Sequence, residues 1–347
     1  MFPYAMYVLL PPGSFAQRAP VGNGGYHFSY HVEVYLTSGL QAFLKTIACA
    51  AVCLCLFVTC ELASDSTLLY DQDWENAALS GIITHNGELW QDLGADDPYG
   101  SKSFYFCVTD DHEETYTDFF NVSIESVPSP SGGFSNALKF VVTADDPDTP
   151  ALTRCSYNYK VGWGDSAFND LEEGFNSFWI KLPANLNTLL DPTSDEGWMM
   201  LAEWDEYTVS GNGGRIGLYL ERRTYENGGV LYLRATCQTK VENLYAGYLW
   251  NITNTTFDVS SILGEWAFVE IYWKHGDSDG AFRVAINNDV VLEAPGNDTK
   301  CYNDFYQGCS LKSYSNRNGI VVYYDDYKHY NGVPPGAALR TVFRSHP

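Results

Sequence analysis

Apolar and polar residues alternate with a period of two through most of the chain. SFWIKL (Ser177–Leu182), RIGLYLERR (Arg215–Arg223) and VLYLRATCQ (Val230–Gln238) each match a half-buried β-strand. So do WAFVEIYWK (Trp266–Lys274), AFRVAINN (Ala281–Asn288) and GIVVYYDDY (Gly319–Tyr327). Turn signals, ENGG, GDSDG and NND, separate these runs. GDSDG (Gly276–Gly280) lacks the further ligands of a calcium loop and reads as a hairpin turn. No long amphipathic helix and no internal repeat is visible. The clearest break, VPSPSGGFSN (Val127–Asn136), joins two strand-like segments. Many short strands in one chain predict an all-β fold, a jelly-roll β-sandwich of two antiparallel sheets, with residues 64–347 as one domain.

The alternation also assigns faces. In RIGLYLERR, Arg215, Gly217 and Tyr219 share one face, opposite Ile216, Leu218 and Leu220. In VLYLRATCQ, Tyr232, Arg234 and Gln238 oppose Leu231, Leu233 and Cys237. The turn between them is short, so the strands should pair and merge their polar faces into a surface lined by Arg215, Tyr219, Tyr232 and Arg234. WAFVEIYWK would add Glu270, Tyr272 and Lys274. Such a surface is either a solvated sheet face or a glycan groove, in which tyrosine rings stack and arginines grip hydroxyls or carboxylates.

Composition narrows the partners. Hydrophobic residues at 45% with 18% charged residues describe a globular chain. Twenty Lys and Arg against 43 Asp and Glu give a net charge of −23, which repels nucleic acid and anionic membranes. A polyanionic glycan is disfavoured too, unless basic residues gather in one groove. LKTIACAAVCLCLFVTCELASDS (Leu44–Ser66) carries Lys45, an apolar run too short for a bilayer span, and then small or polar residues. Residues 1–63 are therefore read as a leader plus secretory signal, and the remainder as secreted, with no membrane span and an open oligomeric state.

Export permits disulfides. Cys301 and Cys309, closing CYNDFYQGC, are the best-placed pair, Cys107–Cys155 is a second, and Cys237 is left over as a buried cysteine. No Cys/His spacing suggests zinc. The histidines His85, His112, His275, His329 and His346 all stand in polar or turn-like surroundings, and His112 in TDDHEETY reads as a solvated loop histidine, with a mobile groove base as the alternative.

The order of DQDWENAALSG (Asp71–Gly81), GFNSFWIKLPANL (Gly174–Leu186), WMMLAEWDEY (Trp198–Tyr207), GEWAFVEIYWKHGDSDGAFRVAINN (Gly264–Asn288) and GIVVYYDDYKHYNG (Gly319–Gly332) resembles the polysaccharide lyases built on a concanavalin A-like jelly roll. These are the heparinase I-like, glucuronan lyase and alginate lyase families. The resemblance implies an extracellular polysaccharide lying across a concave sheet, and β-eliminative cleavage of a uronic-acid-containing glycan. That chemistry needs a group to neutralise the uronate, a base and an acid, and requires no cofactor. It implies Arg154 or Arg234 on the carboxylate and a tyrosine, Tyr232 or Tyr314, as acid/base. Glu203, Asp205, Arg215, Tyr219, Tyr272, Lys274 and Lys312 would contact substrate. The family's Gln-x-His phrase falls on Glu203-Trp204-Asp205, where two acids replace donor and base.

Related jelly-roll modules place calcium between an early acid and the closing strand. Here Glu75 with Asp325 or Asp326 resembles that arrangement, against the alternative that these acids bind loop backbone. A second reading, without catalysis, is a lectin-like or structural surface glycoprotein. A third is a retaining glycosidase, whose carboxyl groups stand about 5–5.5 Å apart. Glu203 and Asp205 begin such a strand, but Tyr207 and Thr208 occupy the place of its last glutamate.

Overall fold

In the computed structural model the chain divides into two units, Met1–Leu62 and Ala63–Pro347. The structure describes residues 66–75, 82–85, 88–92, 103–108, 120–142, 153–159, 173–193, 197–207, 213–241, 244–276, 278–297, 299, 309–315 and 319–339, all in the second unit. The expected leader and signal segment, His112, His346 and Cys301 lie outside them.

Seventeen strands are described. The first seven are β1 (Thr67–Gln72), β2 (Ile82–His85), β3 (Glu88–Asp92), β4 (Ser103–Val108), β5 (Phe120–Pro128), β6 (Phe134–Val142) and β7 (Thr153–Tyr159). Then come β8 (Glu173–Lys181), β9 (Trp198–Tyr207), β10 (Gly213–Arg222), β11 (Leu231–Val241) and β12 (Leu244–Asn254). The last are β13 (Trp266–Lys274), β14 (Gly280–Ile286), β15 (Asp289–Asn297), β16 (Cys309–Ser315) and β17 (Val321–Asn331). Helix is limited, among the described residues, to the single turns α1 (Leu186–Leu189) and α2 (Thr224–Asn227) and a 3-10 turn at Val259–Ile262. No described helix is long and apolar enough to cross a membrane.

The strands form the expected antiparallel sandwich. An eight-stranded sheet runs β15-β14-β13-β8-β17-β6-β5, with β1 also paired to β17. A nine-stranded sheet runs β12-β11-β10-β9-β16-β7-β4-β3-β2. Alternation sends one face of each sheet inward. Phe178 and Ile180, Val269 and Ile271, and Val322 and Tyr324 come from the first sheet; Ile216, Leu218, Leu231, Leu233 and Cys237 meet them from the second. Gly276–Gly280 links β13 to its partner β14, as its turn signal predicts.

Among the described residues, the core holds a polar cluster around Asn176. Asn176 on β8 accepts the Trp204 indole N–H through Oδ1 (3.3 Å), which fixes the orientation of its amide. Its Nδ2 then donates to Tyr327 Oη (3.0 Å) and to His329 Nδ1 (2.6 Å). His329 is fully buried, which corrects the polar surroundings expected from sequence. The error has a local cause. At Asp326 the backbone takes a left-handed φ of 49° and the pairing with β8 shifts register. That irregularity turns Tyr327 and His329 into the core.

On the outer face of the eight-stranded sheet, the segment after β17 folds back over Phe175, Tyr272, Ala281 and Ala285. Glu270 anchors it by accepting backbone N–H groups from Ala338 (2.9 Å) and Leu339 (3.3 Å).

Candidate functional site

The outer face of the nine-stranded sheet carries the Arg/Tyr surface expected from sequence. β10 and β11 pair antiparallel, with Arg215 opposite Gln238, Tyr219 opposite Arg234 and Glu221 opposite Tyr232. Between them α2 and two left-handed glycines, Gly228 (φ 59°) and Gly229 (φ 81°), turn the chain. The apolar partners Ile216, Leu218, Leu231 and Leu233 are buried beneath.

Three arginine–carboxylate pairs lie on this face, Arg223 standing 4.0 Å from Glu221 and the other two pairs being shorter. Arg215 donates from Nη1 to Glu203 Oε1 (3.1 Å) and from Nε to Gln238 Oε1 (2.7 Å). Arg234 donates from Nη1 to Glu221 Oε1 (2.8 Å) and from Nε to Asn251 Oδ1 (2.8 Å). Its guanidinium also lies 5.3 Å from the centroid of the Tyr248 ring. Glu203 and Glu221 are only 2% and 4% exposed, so each arginine is matched by a buried carboxylate.

Tyr232 donates to Glu221 Oε2 (2.7 Å) and is also hydrogen-bonded to Glu226. Burial, and then these two carboxylates, push its phenol well above the ordinary tyrosine range. Tyr219 is raised as well, chiefly by burial. Its ring folds back along the strand over Gly217, where an added Cβ would stand 2.5–2.6 Å from ring atoms. Glycine is what admits the ring, which then meets Trp198 edge-on at 6.0 Å. Tyr248, Asn251 and Thr253 on β12 form the exposed strip of this face.

Register decides which expected residues come together. Arg154 on β7 lies directly opposite Tyr314 on β16, Tyr314 opposite Met200, Met200 opposite Tyr219, and Tyr219 opposite Arg234. Arg154 and Arg234 thus stand at two ends of one transverse row, four strand spacings or roughly 19 Å apart, too far to hold one carboxylate. Lys312 is opposite Ser156 and Asp205 opposite Arg215. The side chains of Arg154, Asp205, Cys309, Lys312 and Tyr314 lie outside the described residues, and the Cys301–Cys309 pair with them. β4 and β7 set Cys107 directly opposite Cys155.

Tyr272 and Lys274 do not join this face. Both sit on β13 in the other sheet, where Tyr272 donates to Glu173 (2.7 Å) and Lys274 pairs with Asp279 (2.7 Å). Burial, with Glu173 beside it, raises the Tyr272 phenol too.

The expected calcium ligands divide. Glu75 accepts the Asn136 backbone N–H (3.0 Å), and Asp325 accepts Ser135 Oγ (2.8 Å) and the Asp326 backbone N–H (2.8 Å). Adjacent residues of β6 therefore draw Glu75 and Asp325 to one strand end. Burial raises the Asp325 carboxyl, and the charges of Asp326 and Glu75 add to the rise. Asp326 itself turns to Lys328 (2.6 Å). Among the described residues, no three His, Cys, Asp or Glu side chains gather as metal ligands.

Sequence reasoning missed Glu221, Glu226, Trp198, Tyr248 and Asn251. Glu221 was within reach, because it continues the Arg215, Gly217, Tyr219 alternation by one step. Tyr248 and Asn251 lie on β12, whose phrase AGYLWNITN alternates less cleanly, and β12 meets β11 with two register shifts.

No protein-family model matches the chain, and no curated protein matches it. Among solved structures, the botulinum neurotoxin serotype D binding domain is similar at 14% identity and a TM-score of 0.37, over 69% of this chain and 50% of that one. A botulinum neurotoxin type C structure, described as dependent on two ganglioside molecules for cell entry, gives 13% identity and 0.37 over 78% and 51%. The binding domain of neurotoxin DC in complex with SialylT gives 14% and 0.36 over 78% and 51%. The matches thus span about half the length of those chains.

Proposed function

We propose that the outer face of the nine-stranded sheet binds a neutral, hydroxyl-rich glycan without cleaving it, as a secreted recognition module. The supporting observation is that Arg215 and Arg234 on this face are already matched by buried carboxylates, Arg215 by Glu203 and Arg234 by Glu221. A uronate would have to displace one of these acids, stranding a buried charge at a cost of about 3–5 kcal/mol. Sugar hydroxyls need no such exchange. They take single hydrogen bonds from rigid polar groups such as Asn251 and Arg234 while a pyranose ring stacks on Tyr248.

The same geometry disfavours β-elimination by Tyr232. A tyrosine base must lose its proton, whereas this phenol is buried and donates toward carboxylates. The net charge of −23 acts in the same direction.

Eliminative cleavage remains the second reading, because the register sets Arg154 directly opposite Tyr314. A glycan array combined with an absorbance assay for unsaturated product on alginate, glucuronan and heparin separates the two. Saturable binding to neutral glycans, weakened about tenfold or more by Y248A or N251A, with no product from any uronan, is the expected result. Unsaturated product from any of the three polymers would replace the proposal with the lyase reading. Binding to no glycan would remove both.

A further inference from the structure

The outer face of the eight-stranded sheet, on the far side of the sandwich, has two unlike halves. Under the segment that follows β17, Phe175 and Tyr272 are buried. Beyond it, Trp179, Lys181, Trp266, Phe268, Tyr323 and Lys139 are all partly exposed. Alternation puts these six on one face, since their neighbours Ile180, Ala267, Val322, Leu138 and Phe140 point into the core.

Pairing sets them in register. Trp266 is opposite Lys181, Lys181 opposite Tyr323, Tyr323 opposite Lys139, and Lys139 opposite Ser123. This row crosses five strands, roughly 19 Å at about 4.8 Å per spacing. Beside it, the rings of Trp179 and Phe268 lie 5.0 Å apart. Trp266 is held in place by its indole N–H on the Pro128 carbonyl (2.7 Å).

The two lysines differ. Lys139 pairs with Glu125 (2.9 Å) and lies 5.7 Å from the Tyr323 ring centroid. Lys181 stands between Trp266 and Tyr323 and makes no ion pair among the described residues. In a chain with more than twice as many acids as bases, an ammonium group without an acid is the uncommon arrangement.

We infer that this half-face is a second saccharide site, selective for a sugar carrying an acidic group. The aromatic rings of Trp179, Phe268 and Tyr323 present flat apolar surface to the faces of pyranose rings, and Lys181 supplies a counter-charge for one carboxylate. The site lies on the sheet opposite the neutral-glycan face and uses none of its residues.

Calorimetric titration of the full chain tests it. The probes are a hexasaccharide of alternating glucuronate and N-acetylglucosamine, a neutral N-acetylglucosamine hexasaccharide, and vesicles of anionic phospholipid. The acidic hexasaccharide should bind, and K181Q should weaken it by about tenfold or more. W179A should weaken it similarly and W179F much less, so a stacking role is distinguished from a folding defect. Neutral-glycan binding that depends on Tyr248 should be unchanged in K181Q, which keeps failure of this site apart from failure of the other. Three outcomes overturn the inference: no binding of the acidic hexasaccharide, equal affinity in wild type and K181Q, or tighter binding to the vesicles than to the saccharide.

Discussion

His329 offers a direct test of the core. It is fully buried, and its Nδ1 faces the amide N–H of Asn176, whose orientation is set by the Trp204 indole. A proton added at Nδ1 would meet another donor, and the charge would be cut off from water. Burial depresses its pKa from the ordinary 6.5 to about 4. Between these values the unfolded chain takes up a proton that the folded chain refuses. The histidine's contribution is therefore fully present above pH 6.5 and is lost as pH falls toward 4. A gap of about 2.5 units at 1.36 kcal/mol each amounts to about 3 kcal/mol.

The perturbation is H329Q, which keeps an acceptor for Asn176 and removes the titration. Urea unfolding followed by tryptophan fluorescence at pH 7.5, 6.5, 5.5 and 4.5 gives the stability of each protein. The stability advantage of wild type over H329Q should shrink by about 2.5 kcal/mol between pH 7.5 and 4.5. Glu270, Asp325 and Asp71 have carboxyls raised first of all by burial, so their contributions run the other way, increasing as pH falls. They are common to both proteins and cancel in the difference. An advantage that stays constant across the range would refute the buried, neutral assignment.

Three further outcomes are expected. E221Q should destabilise by on the order of 3 kcal/mol in chemical unfolding, because Arg234 and Arg223 keep their charges and lose a shared acid, whereas the double variant E221L/R234L should recover only part of that loss, Arg223 still lacking Glu221. G217A should cost about 1–3 kcal/mol by driving a methyl group into the Tyr219 ring, and the cost should largely vanish in a Y219A background when both are compared by thermal unfolding. Peptide mapping, without reduction, of protein made in an oxidising compartment should recover Cys107 and Cys155 in one cross-linked fragment, since the two are directly opposite on β4 and β7; free alkylation of both would exclude the bond.

Much of this architecture was legible in the period of two. RIGLYLERR and VLYLRATCQ disclosed their faces, their pairing and the residues they bring together, because a hairpin's register follows from its turn. Alternation reports the face of a strand and not its sheet. WAFVEIYWK alternates as cleanly, yet Tyr272 and Lys274 belong to the other sheet, since β13 pairs with β8 and β14 rather than with β10 or β11. Nor does the pattern show how charges are spent. Arg215 and Arg234 read as free grips in the sequence, but their acids come from β9 and from the next step of β10. His329 was misjudged because one left-handed residue reverses which positions of a strand face inward.

The pairing of β1 with β17 bears on how the chain reaches this state. Thr67 lies opposite Asn331, and β17 is an interior strand that also holds β6 and β8. The middle of the eight-stranded sheet is therefore supplied by the last of the described strands, and joins segments far apart in sequence. Loop closure on that scale must precede the contacts that reward it, so folding should be slow and highly cooperative. A ribosome-bound chain stalled before Val321 would hold two incomplete half-sheets with open inner edges, the species most in need of protection from aggregation.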